Sequence, residues 1–479
     1  MSQPNFIVIC SDQQRWDALG AASAHVDTPN LDRLAARGTR FSTCYCASPI
    51  CVSSRASIAT GFDVHRTRCW SSAQPYTGIP DSWHHALRDA GYRTVSVGKL
   101  HYRSQDDDNG FVEEIMPTHV IDGKGYPFVM LRPDAKKMDG IEDFVDSVGW
   151  GDSDYTRHDE AVARRAGEWL AAHGDEGPWS MFVSFVTPHH PLIVPERFRD
   201  AYPPDRVPLP DTYVAPPDKH PSVQAHPATA GLEGNLHYAR FFRDEAHVRE
   251  LRTYYMALTS FLDECVGRVL DGLEAAGRLD DTVVLFTSDH GEMLGDLGLW
   301  TKSYMYEGSV RVPLIAAGPG FPSGIVSEAT CSHLDIHATA LRAAGLALDE
   351  TRTGRALQDA AGLVAPDDRS VISGYHDYGS ITGTTMLRWK SWKYVHHAGL
   401  APQLFDLAAD PTEIHDLVPG GQHQHIVAAC AEEMRRHVDP DLASAQAFED
   451  QHALIEALGG REAILNAADL PAVTPMAKG

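Results

Sequence analysis

Short, continuous apolar runs alternate along this chain with longer stretches of helical periodicity, and that alternation restricts the fold more than any other feature. The runs Phe6–Cys10 (FIVIC), Thr94–Val97 (TVSV), Met181–Val186 (MFVSFV), Thr282–Thr287 (TVVLFT) and Val312–Ala316 (VPLIA) lack strict polar alternation. That is the pattern of strands buried on both faces of a parallel sheet. Helical patterns cover Thr28–Arg37, Asp159–Ala172 and about Glu245 to Ala276, the last with Leu251, Tyr255, Leu258, Leu262, Val266 and Leu270 at i, i+3/i+4 spacing. The expectation is an α/β fold, a large doubly wound and mostly parallel sheet flanked by helices. After about residue 365 the runs shorten to Val371–Gly374, Thr384–Leu387, Lys393–His396 and Gln403–Asp406, with a turn-like Lys390-Ser391-Trp392 between two of them. This predicts a smaller C-terminal antiparallel sheet with a helix around Ile426–His437. The expected division is 1–365 for the α/β domain, 366–442 for the small α+β subdomain, and 443–479 for an Ala-rich arm that could join subunits of a homo-oligomer.

Composition narrows the function classes. The 479 residues carry 41 Lys and Arg against 65 Asp and Glu, a formal charge of −24. Nucleic acid or an anionic membrane needs clustered basic residues, so neither is expected as a partner. The 8 cysteines are irregularly spaced, which is no disulfide framework. The N-terminal residues Met1 to Asn5 lack a basic run, and Phe6–Cys10 is too short for a signal segment. A reduced, cytoplasmic protein is the expectation. Tyr202–Gly234 contains eight prolines and reads as a long irregular excursion of the kind that walls a pocket.

In open α/β sheets ligands bind beyond the carboxyl ends of the strands. The first predicted strand ends in Ser11-Asp12-Gln13-Gln14, the second in Gly98-Lys99-Leu100-His101, the third in Thr187-Pro188-His189-His190-Pro191 and the fourth in Ser288-Asp289-His290-Gly291. Asp12, Asp289 and His290 suit a hard or borderline divalent cation. Lys99, His101 and His189 suit an anionic tetrahedral group and proton transfer to it. Singly, Asp12 could cap a helix and His190 could be a loop histidine. Four such ends at one sheet edge point to a site.

Cys51 lies just before a predicted helix whose early turn carries Arg55, a placement that favours a thiolate or another anionic nucleophile. A zinc cluster of Cys44, Cys46, Cys51 and Cys69 lacks paired C-x2-C knuckles. Cys51-Val52-Ser53-Ser54-Arg55 with Thr60-Gly61 resembles the C-x-P-x-R signature of the formylglycine-dependent sulfatases, in the alkaline phosphatase superfamily. Gly98-Lys99-Leu100-His101 is similar to their G-K-x-H, Pro188-His189-His190-Pro191 to their P-H-x-P, and Ser288-Asp289-His290-Gly291 with Lys302 to their S-D-H-G and following lysine. Leu404-Phe405-Asp406-Leu407 with Asp410-Pro411 and Glu413 resembles their C-terminal L-[YF]-D-L-x-x-D-P-x-E. The matches run in family order from Pro4 to Leu417.

The resemblance implies a hydrolase of aryl or alkyl sulfate esters. A formylglycine-generating enzyme would oxidise Cys51 to formylglycine, whose hydrate attacks sulfur with one hydroxyl and expels sulfate through the other. Arg55 would hold the hydrate, and Lys99 and Lys302 would neutralise the anionic oxygens. His101 would take a proton from the second hydroxyl, and His189 would protonate the leaving oxygen. One divalent metal, Ca2+ or Mn2+, would sit among Asp12, Gln13, Asp289, His290 and the oxygen derived from Cys51. Ser53 stands where the motif usually has Pro, Gln13 where many members have Asp, and His290 where many have Asn. The last two changes favour Mn2+ over Ca2+ and resemble a branch holding choline sulfatases and phosphonate monoester or phosphodiester hydrolases. Thr67–Ser72 lacks an Asn that many members place there.

Phosphonate or phosphodiester hydrolysis is the main alternative, since both centres are monoanionic and tetrahedral. A two-metal phosphatase would need a second ligand set, which is missing. A binding protein on the same fold would not need every motif group retained. Trp70, Tyr102, Tyr126 and Trp300 are candidates either for the leaving-group pocket or for core packing. His84-His85, His396-His397, His423 and His425 read as surface histidines, and Asp106-Asp107-Asp108-Asn109-Gly110 as a solvated turn.

Overall fold

The apolar runs become strands of a single large sheet. A computed structural model describes residues 3–134, 147–212, 219–224, 244–467 and 476. Its strands are β1 (Asn5–Asp12), β2 (Gly38–Tyr45), β3 (Arg93–Lys99), β4 (Glu113–Thr118), β5 (Val148–Trp150), β6 (Trp179–Pro188), β7 (Leu192–Val194), β8 (Thr282–Ser288), β9 (Leu314–Ala317), β10 (Ile325–Ser332), β11 (Ser370–Tyr375), β12 (Thr384–Trp389), β13 (Trp392–His397) and β14 (Gln403–Asp406). Eight of them form a sheet in the order β10-β2-β9-β8-β1-β6-β3-β4, and β5 pairs with β7 apart from it.

The continuous apolar runs follow from burial on both faces. Ile7 and Ile9 of β1 enter a core shared with Val95, Val183 and the long helix Glu245–Ala275 through Leu258 and Leu262. Phe6, Val8 and Cys10 alternate with them into a second core with Phe182, Leu285, Ile58 and Leu341. The long helix starts where Asp244 accepts a hydrogen bond from the His247 amide at 2.8 Å. The helix predicted at Asp159–Ala172 runs from Asp154 to His173, begun by a capping box of Ser153 and Thr156.

The sheet is mostly parallel with one reversal. The Val312–Ala316 run, expected to be parallel, gives β9, which is antiparallel to both β2 and β8. The chain leaves β8 at its carboxyl end, makes only short turns and the four-residue helix Glu307–Val310, and re-enters from the same edge. A parallel return would need a crossover helix.

Strands β11 to β14 form the expected small antiparallel sheet in sequence order. Trp392 is the first residue of β13, so the β12–β13 turn holds only Lys390 and Ser391, with Lys390 at φ 56°. Helix Gln424–His437 covers this sheet through Cys430 and Met434, and Val64 and Trp70 join the same cluster. Helices Pro440–Ala457 and Gly460–Leu465, in the segment read as an arm, pack on their own chain, with Ile464 against Val129 and Leu131. Residues 468–475 and 477–479 of that segment lie outside the described residues.

Some expectations change. His84, His85 and His397 are buried rather than on the surface. Trp83 and Phe111 pack against His84, and Gln403 hydrogen bonds to His397 at 3.1 Å. The Asp106–Gly110 run is a turn tied by Asp107 to Arg103 and by Asp108 to Arg88. Of the proline-rich excursion, Tyr202, Pro203 and Pro204 line a cleft of about 720 Å³ with Trp150, His247 and Tyr254. Its residues 213–218 and 225–234 lie outside the described residues. Among the described residues no helix is long and apolar enough to cross a membrane.

Candidate active site

Strands β8, β1, β6 and β3 are consecutive in the sheet, so Asp289, Asp12 and Lys99 at the carboxyl ends of β8, β1 and β3 meet Ser184, which lies within β6 in register with Cys10 and Gly98. The fully buried helix Cys51–Thr60 points its first residue at that edge. Arg55, one turn along, ties the strand ends together. Its Nε donates to Asp289 Oδ2 at 2.8 Å, and its Nη1 donates to the Lys99 carbonyl at 2.9 Å and to Ser184 Oγ at 2.8 Å. Arg55 Nη2 is buried without a hydrogen bond and lies 3.7 Å from Asp12 Oδ2.

Asp12, Cys51, Asp289 and His290 each offer one ligand atom, all within 4.8 Å of one another. Cys51 Sγ lies 3.1 Å from His290 Nε2 and 3.7 Å from each Asp12 oxygen. His290 Nδ1 faces the Gly291 carbonyl at 3.0 Å, an acceptor, so the ring proton sits there and the Nε2 lone pair faces the cluster. Asp289 Oδ1 accepts from the backbone amides of Gln13 at 3.1 Å and His290 at 2.9 Å. Two carboxylates, an imidazole lone pair and an unsatisfied guanidinium nitrogen fit a divalent cation with an oxygen ligand at position 51. Cys44, Cys46 and Cys69 do not join Cys51 in any metal-binding group among the described residues.

The electrostatics match that arrangement. Asp12 and Asp289 are fully buried and face the cations Arg55 and Lys99, so the floor of the site balances to zero charge. Burial alone would raise the Asp12 carboxyl, but Lys99 first, with Lys302, holds it well below the usual carboxylate range. Burial, then Lys99 and Arg55, hold His101 neutral, and burial with Lys302 and Lys99 does the same for His189. The thiolate expected at Cys51 is not favoured. Burial pushes its thiol up to about 12, with Asp12 adding to the shift against Lys302 and Lys99. Desolvation outweighs the helix terminus and the guanidinium.

The mouth is built from the remaining predicted residues. His189 and Lys302 are half-buried, and Cys51 and His101 each keep 6% exposure while Asp12 and Asp289 have none. Gln13, at φ 67°, accepts from Lys302 Nζ through Oε1 at 2.5 Å and donates through Nε2 to Glu292 Oε2 at 2.5 Å. Trp70, Tyr102 and Trp300 are buried in the interior, and Tyr126 is half-buried.

Three supporting groups were not read from the sequence. Glu292 orients Gln13 and also accepts from the amides of Leu294 at 2.9 Å and Thr301. Ser54 Oγ donates to the Asp289 carbonyl at 2.6 Å and lies 3.1 Å from His333 Nδ1. Adjacency to Ser288-Asp289-His290-Gly291 was an available signal for Glu292. His333 carried none, because it meets the site only through the fold.

Residues 4–346 match the sulfatase family, and residues 295–439 match the family described as N-sulphoglucosamine sulphohydrolase, C-terminal. A choline-sulfatase of Rhizobium meliloti is 34% identical over 465 residues, covering 94% of this chain and 90% of the relative. Arylsulfatase K of Rattus norvegicus is 27% identical over 447 residues, covering 86% and 74%. The phosphonate monoester hydrolase SpPMH from Silicibacter pomeroyi superposes with a TM-score of 0.71 at 26% identity, covering 92% of this chain and 97% of that one. With the match spanning the whole α/β sheet and the strand ends that build the site, this chain belongs to the sulfatase family, hydrolases of sulfate esters.

Proposed function

We propose that this chain hydrolyses small aryl or alkyl sulfate esters at a formylglycine made from Cys51, beside one divalent ion held by Asp12, Gln13, Asp289 and His290. Residues 1–365 would be the catalytic unit and 366–442 the subdomain that braces it. The convergence of Asp12, Cys51, Asp289 and His290 under Arg55 carries the reading. A thiol with a pKa near 12 is a poor nucleophile at neutral pH, which favours an oxidised residue 51 over a working thiolate. When present, the aldehyde hydrate supplies the attacking and the expelling hydroxyl, and the ion, Mn2+ or Ca2+, supplies positive charge at the reacting oxygens.

The other steps belong to the chain's own side chains. Arg55 Nη2 has a free donor for an oxygen at position 51. Lys99 and Lys302 flank the same space and would bind the non-bridging oxygens of the ester, where charge builds during transfer. His101, held neutral, is ready to accept a proton from the residue at 51. Burial, joined by Lys302 and Lys99, keeps His189 neutral before a substrate binds. An arriving anionic ester offsets the two lysines and raises the proton affinity of His189, which would then serve the leaving oxygen.

The choline-sulfatase relative makes alkyl sulfates of that size the first substrates to test. A second reading, phosphonate monoester hydrolysis, draws on the likeness to SpPMH and on a cationic site that would serve either monoanion. The test is mass spectrometry of the Cys51 peptide after expression with a formylglycine-generating enzyme, joined to assays on choline sulfate, an aryl sulfate and a phosphonate monoester. Formylglycine with faster sulfate turnover supports the first reading, and faster phosphonate turnover supports the second. Unmodified cysteine with no turnover of any ester would sink both.

A further inference from the structure

The C-terminal motif ending in Glu413 has no part in the chemistry above, yet Glu413 is buried and reaches the loop that carries Lys302. Lys393 of β13 has no exposed surface. Its Nζ lies 2.8 Å from Glu307 and 2.7 Å from Glu413, and donates to the Met305 carbonyl at 2.9 Å. Glu413 Oε2 also accepts from the Glu307 amide at 2.6 Å, and Tyr45 Oη donates to Glu307 at 3.0 Å. One ammonium and two carboxylates thus grip residues 305 and 307, just downstream of Lys302.

The loop between needs a grip at both ends. Thr301 and Ser303, on either side of Lys302, have φ of 65° and 85°, in the left-handed region that a β-branched residue such as Thr seldom enters. Such a backbone persists only where surrounding contacts over-determine it. Upstream, Glu292 accepts from the Thr301 amide, and the Met293 amide donates to the Thr301 carbonyl at 2.7 Å. At the centre, the Ser303 amide donates to the Pro49 carbonyl at 3.2 Å, two residues before Cys51. Downstream, the grip is the ion triad.

We propose that Lys393 and Glu413 are positioning residues for Lys302, through which the small C-terminal sheet sets where that ammonium stands over the catalytic residue. The proposal rests on the anion-binding role given to Lys302 above. Lys393→Met would remove the ammonium from beside Glu413 and leave Glu307 only Arg311, at 3.3 Å, and is expected to impair folding, so Glu413→Gln, which keeps the shape and the Lys393–Glu307 pair, carries the test. Turnover of an aryl sulfate and inhibition by inorganic sulfate are measured for the wild type, Glu413→Gln, Lys302→Ala and the double variant, with melting curves alongside. Glu413→Gln should lower kcat/KM by ~10–100-fold, the range for ångström-scale misplacement of a reacting group, and weaken sulfate inhibition. In the Lys302→Ala background the same substitution should change neither by more than ~2-fold, because coupled residues are non-additive. Glu413→Asp should recover part of the loss. Equal losses in both backgrounds, or a Glu413→Gln enzyme with unchanged turnover and inhibition, overturn the positioning role and leave the proposed function standing. An unaffected Lys302→Ala overturns the role of Lys302 and the positioning role together.

Discussion

Replacing Asp289 by Asn removes a charge while keeping the shape, at the point where the site is most tightly balanced. Two carboxylates, Asp12 and Asp289, face two cations, Arg55 and Lys99, and all four are at most 2% exposed. Asp12 is already taken by Lys99, so the variant leaves the Arg55 guanidinium buried with a distant partner at 3.7 Å in place of one at 2.8 Å. Coulomb attraction at 2.8 Å is about 6 kcal/mol at an effective dielectric of 20. Breaking one partner of a buried pair is observed to cost ~3–5 kcal/mol. With an unfolding entropy of about 2.1 cal/mol/K per residue over 479 residues, or about 1 kcal/mol/K, Tm should fall by ~3–5 °C. The assay is calorimetry in chelator, then with Mn2+ or Ca2+ added. In chelator the wild type should stay folded, since its floor is neutral without an ion. Added ion should raise the wild-type Tm and raise that of the variant much less, because a binding carboxylate is gone. A variant that melts with the wild type in chelator would refute the charge argument. One that gains as much from the ion would remove Asp289 from the ligand set.

Two further perturbations test the scaffold. Burial pushes the Asp63 carboxyl up to about 7, against Arg66 and Arg369, from an unfolded value of 3.8. The folded state therefore holds this proton more tightly, so the contribution to stability is full below about pH 4 and is lost as pH rises to about 7. Asp63→Asn should match the wild type in Tm only below about pH 4 and be increasingly the more stable as pH rises from about 4 to about 8; the same difference at about pH 4 and about pH 8 contradicts the shift. Gly98 has φ 94°, and a Cβ there would lie 2.3 Å from the Ser184 carbonyl, between β3 and β6. Gly98→Ala should destabilise by at least ~2 kcal/mol, about 2 °C in Tm, and reduce turnover by displacing Lys99 and the Ser184 acceptor of Arg55. A wild-type melt with wild-type turnover would show that β3 and β6 can spread without disturbing the site.

The strands that the sequence revealed are those buried on both faces, where hydrophobicity is unbroken. β2 (GTRFSTCY) and β10 (IVSEATCS) escaped notice because polar residues interrupt them. The direction of β9 left no trace in its composition, since a buried run reads the same either way along the chain. At the site, Asp12, Lys99, His101, His189, Asp289, His290 and Lys302 were legible because each directly follows a strand or sits in a recognisable short motif. The fate of Cys51 was only half legible. Helix position and Arg55 pointed to an ionised thiol, whereas depth of burial, a property of the assembled fold, decides for the protonated form.

Local pattern thus determined the class of the fold, the sheet edge at which ionisable groups gather and most of the residues brought together there. Those depend on neighbours a few positions apart, through strand and helix periodicity and the polar residues that end each strand. Tertiary structure alone decided the contacts that hold the site in shape. Gln13 with Glu292, Arg55 with Ser184 and Lys393 with Glu307 join positions that no local periodicity relates. Such contacts arise only when strand order and burial are complete, because a buried charge or amide must find its partner wherever the finished packing places one.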